Sequence, residues 1–211
     1  MFKCLRRQDS THGCVNRKKI ILVGDEKCGK TCLLQRFSRG TFSEACYMPT
    51  LFEVETIPVE HENKQVELVL CDTAGQSDYS RLRPVSYPGS DVVIICFSLD
   101  HSDSLENVES IWWPEICHFC EGVPILLVGT KKDLRDKHIP RNSDSMVDSI
   151  DELIEKGDLC VKSEKGQAIA DKIGAVGYLE CSAKLNDGVE TIFREVTRVA
   201  LTMKRKKKRG W

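Results

Sequence analysis

The sequence predicts a three-layer α/β fold, in which helices cover both faces of a mostly parallel six-stranded sheet. Two observations predict it. Short apolar runs alternate with helical patterns from Lys18 onwards, which is the pattern of a parallel sheet with crossover helices. Two of these runs, 92–95 and 125–128, are continuously apolar, as is typical of strands buried on both faces of a sheet.

The first half of the chain contains three predicted strands and one helix. An apolar run at 20–23 predicts the first strand, and the apolar residues of 31–38 are spaced to form one face of a helix. Residues 53–60 mix polar and apolar side chains, which predicts an edge strand. We expect this strand to pair with a strand at 66–71 through a hairpin turn at 61–64.

The second half continues the alternation of strands and helices. Strands are predicted over 92–97, 125–128 and 178–181. Helical spacing predicts helices over 104–119 and 163–173. The clearest helix is the last one, whose apolar stripe consists of Val189, Ile192, Phe193, Val196, Val199, Ala200 and Met203.

One domain with appendages accounts for the 211 residues. We expect a flexible basic extension over 1–17, a folded domain over 18–203 and a polybasic tail over 204–211. A polar stretch within the domain predicts a surface insertion around 136–162, with a short helix at 145–156.

Composition narrows the class of protein further. No apolar run approaches the roughly 18 residues of a membrane span, and the N-terminus lacks the apolar core of a signal peptide. The 11 cysteines are scattered along the chain, so we expect reduced thiols in a cytoplasmic protein.

The net charge of −1 hides an asymmetry, because residues 204–209 carry +6 and leave −7 on the rest of the chain. A basic tail on an acidic body is typical of proteins that meet an anionic membrane surface, a nuclear import receptor or nucleic acid. We expect the membrane surface and no nucleic acid, because the tail is short and the body is acidic.

The loop between the first strand and the first helix matches a phosphate-binding pattern at every fixed position. The loop, Gly24-Asp25-Glu26-Lys27-Cys28-Gly29-Lys30-Thr31, fits G-x-x-x-x-G-K-[ST]. Backbone N–H groups of such a loop form an anion-binding concavity, and the N-terminus of the following helix adds partial positive charge. Lys30 is expected to reach the terminal phosphates of a nucleotide, and Thr31 to bind Mg²⁺.

Three further motifs follow the ends of predicted strands, where ligands bind in open α/β sheets. Asp72, in the segment DTAGQ, can hold Mg²⁺ through a water, and Gly75 lets the backbone approach a γ-phosphate. Asp133, in TKKD, can accept two hydrogen bonds from the edge of guanine, and the Lys131 stem can stack on the base. The segment CSAK at 181–184 can contact the guanine oxygen through its backbone.

In this order, the motifs resemble those of small GTPases of the Ras superfamily, and further segments resemble its Rho family. The Rho-like segments are 50–53, 78–84, 86–88, 113–115 and 118–120, together with the insertion that follows 133–135. The resemblance covers residues 18 to about 203. It implies a P-loop NTPase fold with a Rho-type helical insertion, and a GTP/GDP switch with Mg²⁺ as cofactor. Such a switch hydrolyses GTP to GDP and phosphate and signals to effectors linked to organisation of the actin cytoskeleton.

The resemblance also implies roles for individual residues. Gln76 would orient the attacking water, and Lys30 would stabilise charge on the transferred phosphoryl group. The metal ligands would be Thr31, Thr50 and Asp72. The residues that would bind the nucleotide are Gly24, Asp25, Glu26, Lys27, Cys28, Gly29, Lys30, Thr31, Cys32, Phe42, Thr50, Asp72, Gly75, Thr130, Lys131, Asp133, Ser182, Ala183 and Lys184.

Partners follow from the same resemblance. The first switch is expected over 41–50 and the second over 74–87, and the two would bind exchange factors, GTPase-activating proteins and effectors. We expect a monomer at the cytoplasmic face of the plasma membrane, where 204–209 would hold it peripherally to anionic lipid.

Three departures from the family pattern bear on activity and anchoring. Glu26 and Lys27 stand where relatives carry glycine or another small residue. An extra residue occurs in the first switch near 45–46. Residues 209–211 hold no cysteine for prenylation, and whether Trp211 is the natural end stays open.

Glu26 predicts slow hydrolysis, because its side chain enters the space beside the γ-phosphate. A second hypothesis is therefore a GTP-loaded adaptor with negligible turnover, which Glu26 favours and Gln76 disfavours. A third, an ATP-using enzyme with a phosphate-binding loop, conflicts with Asp133 and Ala183.

Cysteines supply two weaker alternatives. Cys117 and Cys120, in the segment CHFC, resemble a metal or redox pair, but a zinc site needs about four ligands and no second C-x-x-C exists. We expect a helix with packed thiols there. Cys4 lies among Lys3, Arg6 and Arg7, and palmitoylation and an idle thiol both stay open.

Overall fold

A mostly parallel sheet forms the centre of the fold in the computed structural model, which describes residues 3–4, 16–43, 50–138 and 160–203. Seven strands lie in the order β1-β3-β4-β2-β5-β6-β7. β2 pairs in parallel with β4 and β5, β5 with β6, and β6 with β7, whereas β3 is antiparallel to β4 and to β1. The strands are β1 (Lys3–Cys4), β2 (Asn16–Gly24), β3 (Phe52–His61), β4 (Lys64–Thr73), β5 (Val92–Ser98), β6 (Ile125–Thr130) and β7 (Gly177–Glu180). The α/β class and all six predicted strands are confirmed.

Helices cover both faces of this sheet. The helices are α1 (Lys30–Arg39), α2 (Ser102–Asn107), α3 (Trp113–Phe119), α4 (Lys132–His138), α5 (Ser163–Lys172) and α6 (Val189–Thr202). Five of the six α-helices described lie in predicted helical stretches, with α2 and α3 sharing the 104–119 pattern, whereas α4 was not predicted.

Two apolar cores lie on opposite faces of the sheet, which gives the three predicted layers. On one face, α1 and α6 pack together, and the rings of Phe37 and Phe193 stack with centroids 3.8 Å apart. On the other face, buried side chains of α2, α3 and α5 contact the alternate residues of the same strands, including Leu105, Ile116 and Ala170. Burial on both faces explains the continuous apolar runs of β5 and β6.

The β3–β4 hairpin closes through two residues, Glu62 and Asn63. Both have positive φ angles, 48° and 62°, as a two-residue turn of type I′ requires. The predicted hairpin at 61–64 is therefore confirmed. β3 is covered at its outer edge by β1, because Lys3 and Cys4 pair with Glu60 and Val59.

The predicted helix over 104–119 is interrupted by a π-helical turn at Val108–Trp112. Pro114 lies at the start of α3. Proline lacks a backbone N–H and its ring clashes with the carbonyl four residues earlier, so the regular hydrogen-bond ladder cannot pass through this point. The turn directs Trp112 inwards, where it is 2% exposed.

The ends of the chain differ from the sequence expectations in detail. Residues 3–4 form a strand, although 1–17 were expected to be an extension without regular structure, and β2 begins at Asn16, two residues before the expected start of the domain. Met203 is half exposed and does not belong to the buried stripe of α6. The predicted helix at 145–156 and the tail at 204–211 lie outside the described residues.

We searched the described residues for a membrane span. None of their helices is both long enough and apolar enough to cross a bilayer.

Arg135 and Ser163, which flank the predicted insertion, both donate to the carboxylate of Glu180. Arg135 of α4 donates from Nη1 and Nη2 to the two carboxylate oxygens of Glu180, both at 2.7 Å. Ser163 and Tyr178 donate to the same carboxylate at 2.8 and 2.6 Å. Burial alone would raise the pKa of the Glu180 carboxyl, but the hydrogen bonds from Arg135, Tyr178 and Ser163 lower it below its ordinary value.

We expect Glu180→Gln to lower the free energy of unfolding at pH 7 by about 1.5–3 kcal/mol, the usual value of a hydrogen bond to a charged group. Because the folded-state pKa is lowered, this stabilisation is complete above the ordinary pKa. It is lost as the pH falls through the lowered value. Urea denaturation of native and variant protein at pH 7 and at about pH 3 should therefore show a difference that shrinks in acid.

Glu195→Gln is the matched control for this prediction. Glu195 accepts from Arg198 on the outside of α6, where ion pairs contribute less than about 1 kcal/mol. Equal losses in the two variants would show that the Arg135–Glu180 pair contributes no more than a surface pair.

Candidate functional site

A cavity of about 490 Å³ opens at the carboxyl ends of the parallel strands. β2 lies between β4 and β5 in the sheet. The helix that follows β2 packs on one face of the sheet, whereas the helices that follow β5 pack on the other. Ligands of open α/β sheets bind at such a reversal, and the volume is in the usual range for a small-molecule site, roughly 300–1,000 Å³.

Most of the predicted site residues line this one cavity. Those that do are Glu26, Lys27, Gly29, Lys30, Thr31, Cys32, Phe42, Thr50, Gly75, Gln76, Thr130, Lys131, Asp133, Ala183 and Lys184. The predicted site residues that do not line the cavity are Gly24, Asp25, Cys28, Asp72 and Ser182. The cavity wall also contains residues that were not predicted as site residues, namely Leu33, Gln35, Ser43, Glu53, Thr73, Leu134 and Cys181. Of these, Thr73 and Cys181 belong to the motifs DTAGQ and CSAK.

The loop that follows β2 can adopt its path only because two positions are glycine. Gly24 has φ +141°, and a Cβ there would lie 2.1 Å from the carbonyl oxygen of Cys96. Gly29 has φ +97° and is the N-cap of α1, with no side chain capping the helix. The first N–H groups of α1 therefore face the cavity as donors, which suits an anion.

Lys30 lies under the loop rather than in solvent, and only 6% of the residue is exposed. Its ammonium donates to the carbonyl oxygens of Gly24 at 2.8 Å and Asp25 at 2.7 Å. The third acceptor is Cys28 Sγ at 3.8 Å, a weak one. The lysine is thus held in place while one of its three protons stays available to a better acceptor.

Three oxygen-bearing side chains predicted as metal ligands converge beside Lys30. The hydroxyls of Thr31 and Thr50 are 2.9 Å apart, and Thr31 donates to Asp72 Oδ2 at 2.5 Å. Within the described part of the chain, Asp72 Oδ1 is buried and has no hydrogen-bond partner. An unpaired buried carboxylate oxygen is costly, so this set fits a hydrated Mg²⁺, a cation that prefers oxygen ligands and keeps several waters.

The electrostatics of Asp72 agree with this interpretation. Burial raises the pKa of its carboxyl to about 6, although the hydrogen bond from Thr31 and the charge of Lys30 oppose the rise. Glu53 and Glu55 raise it further. Burial, assisted by the two neighbouring carboxylates, therefore disfavours the ionised form of Asp72, and a bound cation would stabilise that form.

The side chain of Asp25 turns away from the cavity, unlike the sequence expectation for a nucleotide-binding residue. Its carboxylate accepts from Asn107 Nδ2 at 2.8 Å and from Trp112 Nε1 at 2.6 Å. Asp25 therefore fastens the phosphate-binding loop to the π-helical turn, and only its backbone belongs to the loop surface.

Gly75 packs directly on the phosphate-binding loop. A Cβ at this position would lie 2.3 Å from the backbone nitrogen of Glu26 and 2.4 Å from the carbonyl carbon of Asp25. This close approach brings the next residue to the loop as well, since Gln76 Nε2 donates to Glu26 Oε2 at 3.1 Å. The carboxylate of Glu26 thus holds the carboxamide that the sequence assigned to the attacking water.

A buried arginine fixes the backbone on either side of Gly75. Arg83 Nη1 donates to the carbonyl oxygens of Ala74 at 2.8 Å and Gln76 at 3.3 Å. Its Nε and Nη2 donate to Glu115 at 2.9 and 2.8 Å, and its Cζ lies 4.4 Å from the centroid of the Trp112 ring. No motif in the sequence indicated this role.

The far end of the cavity is built by the segments that follow β6 and β7. Ser182 Oγ donates to Asp133 Oδ1 at 2.6 Å, which fixes the carboxylate and leaves its other oxygen towards the cavity. The backbone N–H of Lys132 donates to the carbonyl oxygen of Cys181 at 3.0 Å. Thr130 donates to the carbonyl oxygens of Cys28 and Phe97, so the base end and the phosphate end are joined directly.

The thiols at and near the site are not activated. Burial raises the pKa of Cys28 and of Cys32, so both stay protonated near neutral pH. In the CHFC segment Cys117 is exposed and only Cys120 is buried, which corrects the expectation that both thiols pack. No cluster of three or more histidine, cysteine or acidic side chains suited to a metal occurs among the described residues.

The fold and this cavity define the class of protein: an α/β protein of the P-loop GTPase type. A sequence model described as the Ras family matches residues 19–202. The chain therefore belongs to the Ras family. Proteins of this family are small GTPases, which bind guanine nucleotide and Mg²⁺ and act as switches with exchange factors, GTPase-activating proteins and effectors.

Proposed function

We propose that this protein is a Rho-type small GTPase that binds GTP and GDP with Mg²⁺ and hydrolyses GTP slowly. The observation that carries the proposal is the contact between Gln76 and Glu26 inside the cavity that also holds Lys30, Thr31 and Asp133. The cavity supplies the groups for nucleotide binding, and the contact restrains the one side chain suited to position water.

At the phosphate end, the chain supplies positive charge and donors. The Lys30 ammonium would exchange its weak Cys28 contact for a phosphate oxygen, and the backbone N–H groups of the loop and of α1 would bind the others. Thr31, Thr50 and Asp72 would hold Mg²⁺, which when bound neutralises charge on the phosphates. Phosphoryl transfer depends mostly on positioning and electrostatics, so these groups suffice for catalysis once water is placed.

At the base end, the arrangement suits guanine. The Asp133 carboxylate would accept hydrogen bonds from the ring N–H and the 2-amino group of guanine, and adenine offers no such pair of donors. The stem of Lys131 lines the same wall, and its ammonium is held by Asp100 at 3.6 Å. Phe42 also lines the cavity.

The contact between Glu26 and Gln76 also favours a second function, a GTP-loaded adaptor without significant turnover. A hydrogen bond to a charged acceptor is worth roughly 1.5–3 kcal/mol where water is excluded, and less where it is exposed. Here the contact is exposed, so we favour slow hydrolysis over none.

A single preparation of the full chain distinguishes these functions. The bound nucleotide is identified by chromatography after denaturation, and phosphate release is then followed after loading with GTP. Bound guanine nucleotide with slow release supports the switch, and bound GTP without release supports the adaptor. Bound adenine nucleotide would contradict both.

The Rho-type assignment and the signalling partners rest on the resemblance and on the surface. Large apolar side chains are exposed beside the cavity at Leu51, Phe52 and Val54 and again at Leu82 and Val85. Leu82 and Val85 belong to the second expected switch, and the other three directly follow the first, so both surfaces would meet exchange factors, activating proteins and effectors, including those that organise actin. The protein would act as a monomer, peripherally at the cytoplasmic face of the plasma membrane.

We expect membrane association to be electrostatic and reversible, because residues 204–209 carry +6 and each basic residue near an anionic surface contributes about 1 kcal/mol. Binding to vesicles with phosphatidylserine should be at least tenfold stronger than to neutral vesicles, and should fall steeply between 50 and 300 mM salt, since screening shortens the reach of charge. Co-sedimentation measures both, with a chain shortened to residue 203 as the control.

Salt-resistant binding to neutral vesicles by protein from its native source would contradict this prediction. It would point instead to a covalent lipid, with Cys4 as the first residue to test by mass.

A further inference from the structure

A single arginine of α1 joins the segments that surround the base end of the cavity. Arg36 Nε donates to the carbonyl oxygen of Ala183 at 2.6 Å, and its Nη2 donates to that of Lys184 at 3.2 Å. Its Nη1 donates to the carbonyl oxygen of Gly40 at 2.7 Å. The guanidinium therefore binds the loop after β7 and the C-terminus of α1 at once.

The same guanidinium lies against the aromatic side of the cavity. Its Cζ is 5.9 Å from the centroid of the Phe42 ring, within the range of a cation–π contact. Ala183, Lys184 and Phe42 all line the cavity, whereas Arg36 does not. Arg36 thus touches the residues that would contact the base without contacting the base itself.

The geometry requires arginine. Its planar fork presents five N–H donors in fixed directions, and three of them reach carbonyls of three different residues. The ammonium of lysine is a point charge and would not span both sides. Because the peptide group is planar, a carbonyl held at Ala183 also fixes the N–H of Lys184 on the opposite side of that peptide.

We propose that Arg36 is a positioning residue for the guanine base, which holds the 183–184 backbone and Phe42 in the binding geometry and thereby slows nucleotide release. This rests on the proposed guanine-nucleotide site. The recognised feature is the oxygen at carbon 6 of guanine, which the backbone N–H groups of this loop would bind. Arg36 lies outside the motifs of the site, six residues after Lys30 in α1.

The test compares Arg36→Ala and Arg36→Lys with the matched control Arg39→Ala. Arg39 lies on the same helical end but donates to Glu55, away from the 183–184 loop. Each full-length variant is loaded with a fluorescent GDP, and its release is followed after addition of excess unlabelled GDP. We expect about tenfold faster release from Arg36→Ala, three- to fivefold from Arg36→Lys, and native release from Arg39→Ala.

A second readout separates positioning from a general structural role. The diphosphate of 2-aminopurine riboside lacks the oxygen at carbon 6 and the ring N–H that would face Asp133, so native protein already forgoes the contact at carbon 6, and only the further loss in each variant is compared. In competition assays, Arg36→Ala should lose about tenfold in affinity for GDP and less than about threefold for this analogue. If Arg36→Ala does not fold, both measurements are made on Arg36→Lys.

Two outcomes overturn the inference. One is native release of GDP from Arg36→Ala, and the other is an equal loss of affinity for GDP and for the analogue. Failure of native protein to bind GDP at all is a different result, because it contradicts the proposed function rather than the role of Arg36.

Discussion

Replacement of Asp133 by asparagine should weaken GTP binding by about 10²–10⁴-fold and improve binding of xanthosine triphosphate. Two hydrogen bonds to a charged acceptor are lost, each worth about 1.5–3 kcal/mol, and every 1.4 kcal/mol is about tenfold in affinity. Ser182 holds one oxygen of the native carboxylate and would hold the amide oxygen of asparagine in the same way. The amide nitrogen would then face the cavity and donate to the oxygen that xanthine carries in place of the 2-amino group.

Competition against a fluorescent GDP measures both affinities. Asp171→Asn on the outer surface of α5 is the matched control, because it removes the same charge where the only described partner of that carboxylate is Gln167. The assignment of Asp133 is wrong if ATP competes as well as GTP with native protein, or if Asp133→Asn binds both triphosphates as native protein does.

The sheet could be predicted because its strands are buried on both faces and therefore read as short apolar runs. β5 and β6 show this most clearly. The phosphate-binding loop could be predicted because its glycines are required by the local backbone conformation, with φ of +141° at Gly24 and +97° at Gly29. Features that depend on a few adjacent residues can be predicted from a sequence.

Features that depend on contacts between distant residues could not be predicted from the sequence. The side chain of Asp25 turns away from the cavity because Trp112, 87 positions later, donates to it. Trp112 in turn reaches that position through a π-helical turn, which helical periodicity does not reveal. Arg83 and Arg36 donate hydrogen bonds to backbone carbonyl oxygens. Every residue has such a carbonyl, so the sequence does not indicate which one accepts. The motifs therefore located the cavity, while the side chains that hold its walls required the structure.

Removal of the Glu26 side chain should restore stimulated hydrolysis, which makes Glu26→Gly the second prediction with a large effect. The sequence indicated crowding beside the γ-phosphate, and the structure adds a specific contact with Gln76 at 3.1 Å. Under the proposed function, two effects would oppose catalysis. The carboxylate repels the phosphates, and it competes with water for the carboxamide that must orient it.

The space beside the γ-phosphate is also where an activating protein inserts an arginine finger. Such a finger is worth about 10³–10⁵ in rate in Ras, a member of the same family, and in related GTPases. Gly75 already packs against the backbone of Glu26, so little room is left for both side chains. We expect native protein to respond weakly to an activating protein while nucleotide binding stays intact.

Glu26→Gly should therefore raise activator-stimulated hydrolysis at least tenfold, which corresponds to only about 1.4 kcal/mol of barrier. Glu26→Gln separates the two causes, because it keeps the bulk and removes the charge. A rise in Glu26→Gln close to that of Glu26→Gly would assign the effect to repulsion, and a rise in Glu26→Gly alone would assign it to bulk. Single-turnover phosphate release with a fixed amount of activating protein measures all three proteins. If native protein already hydrolyses GTP at the rate of Glu26→Gly, the contact with Gln76 imposes no restraint on the reaction and the proposal of slow hydrolysis fails.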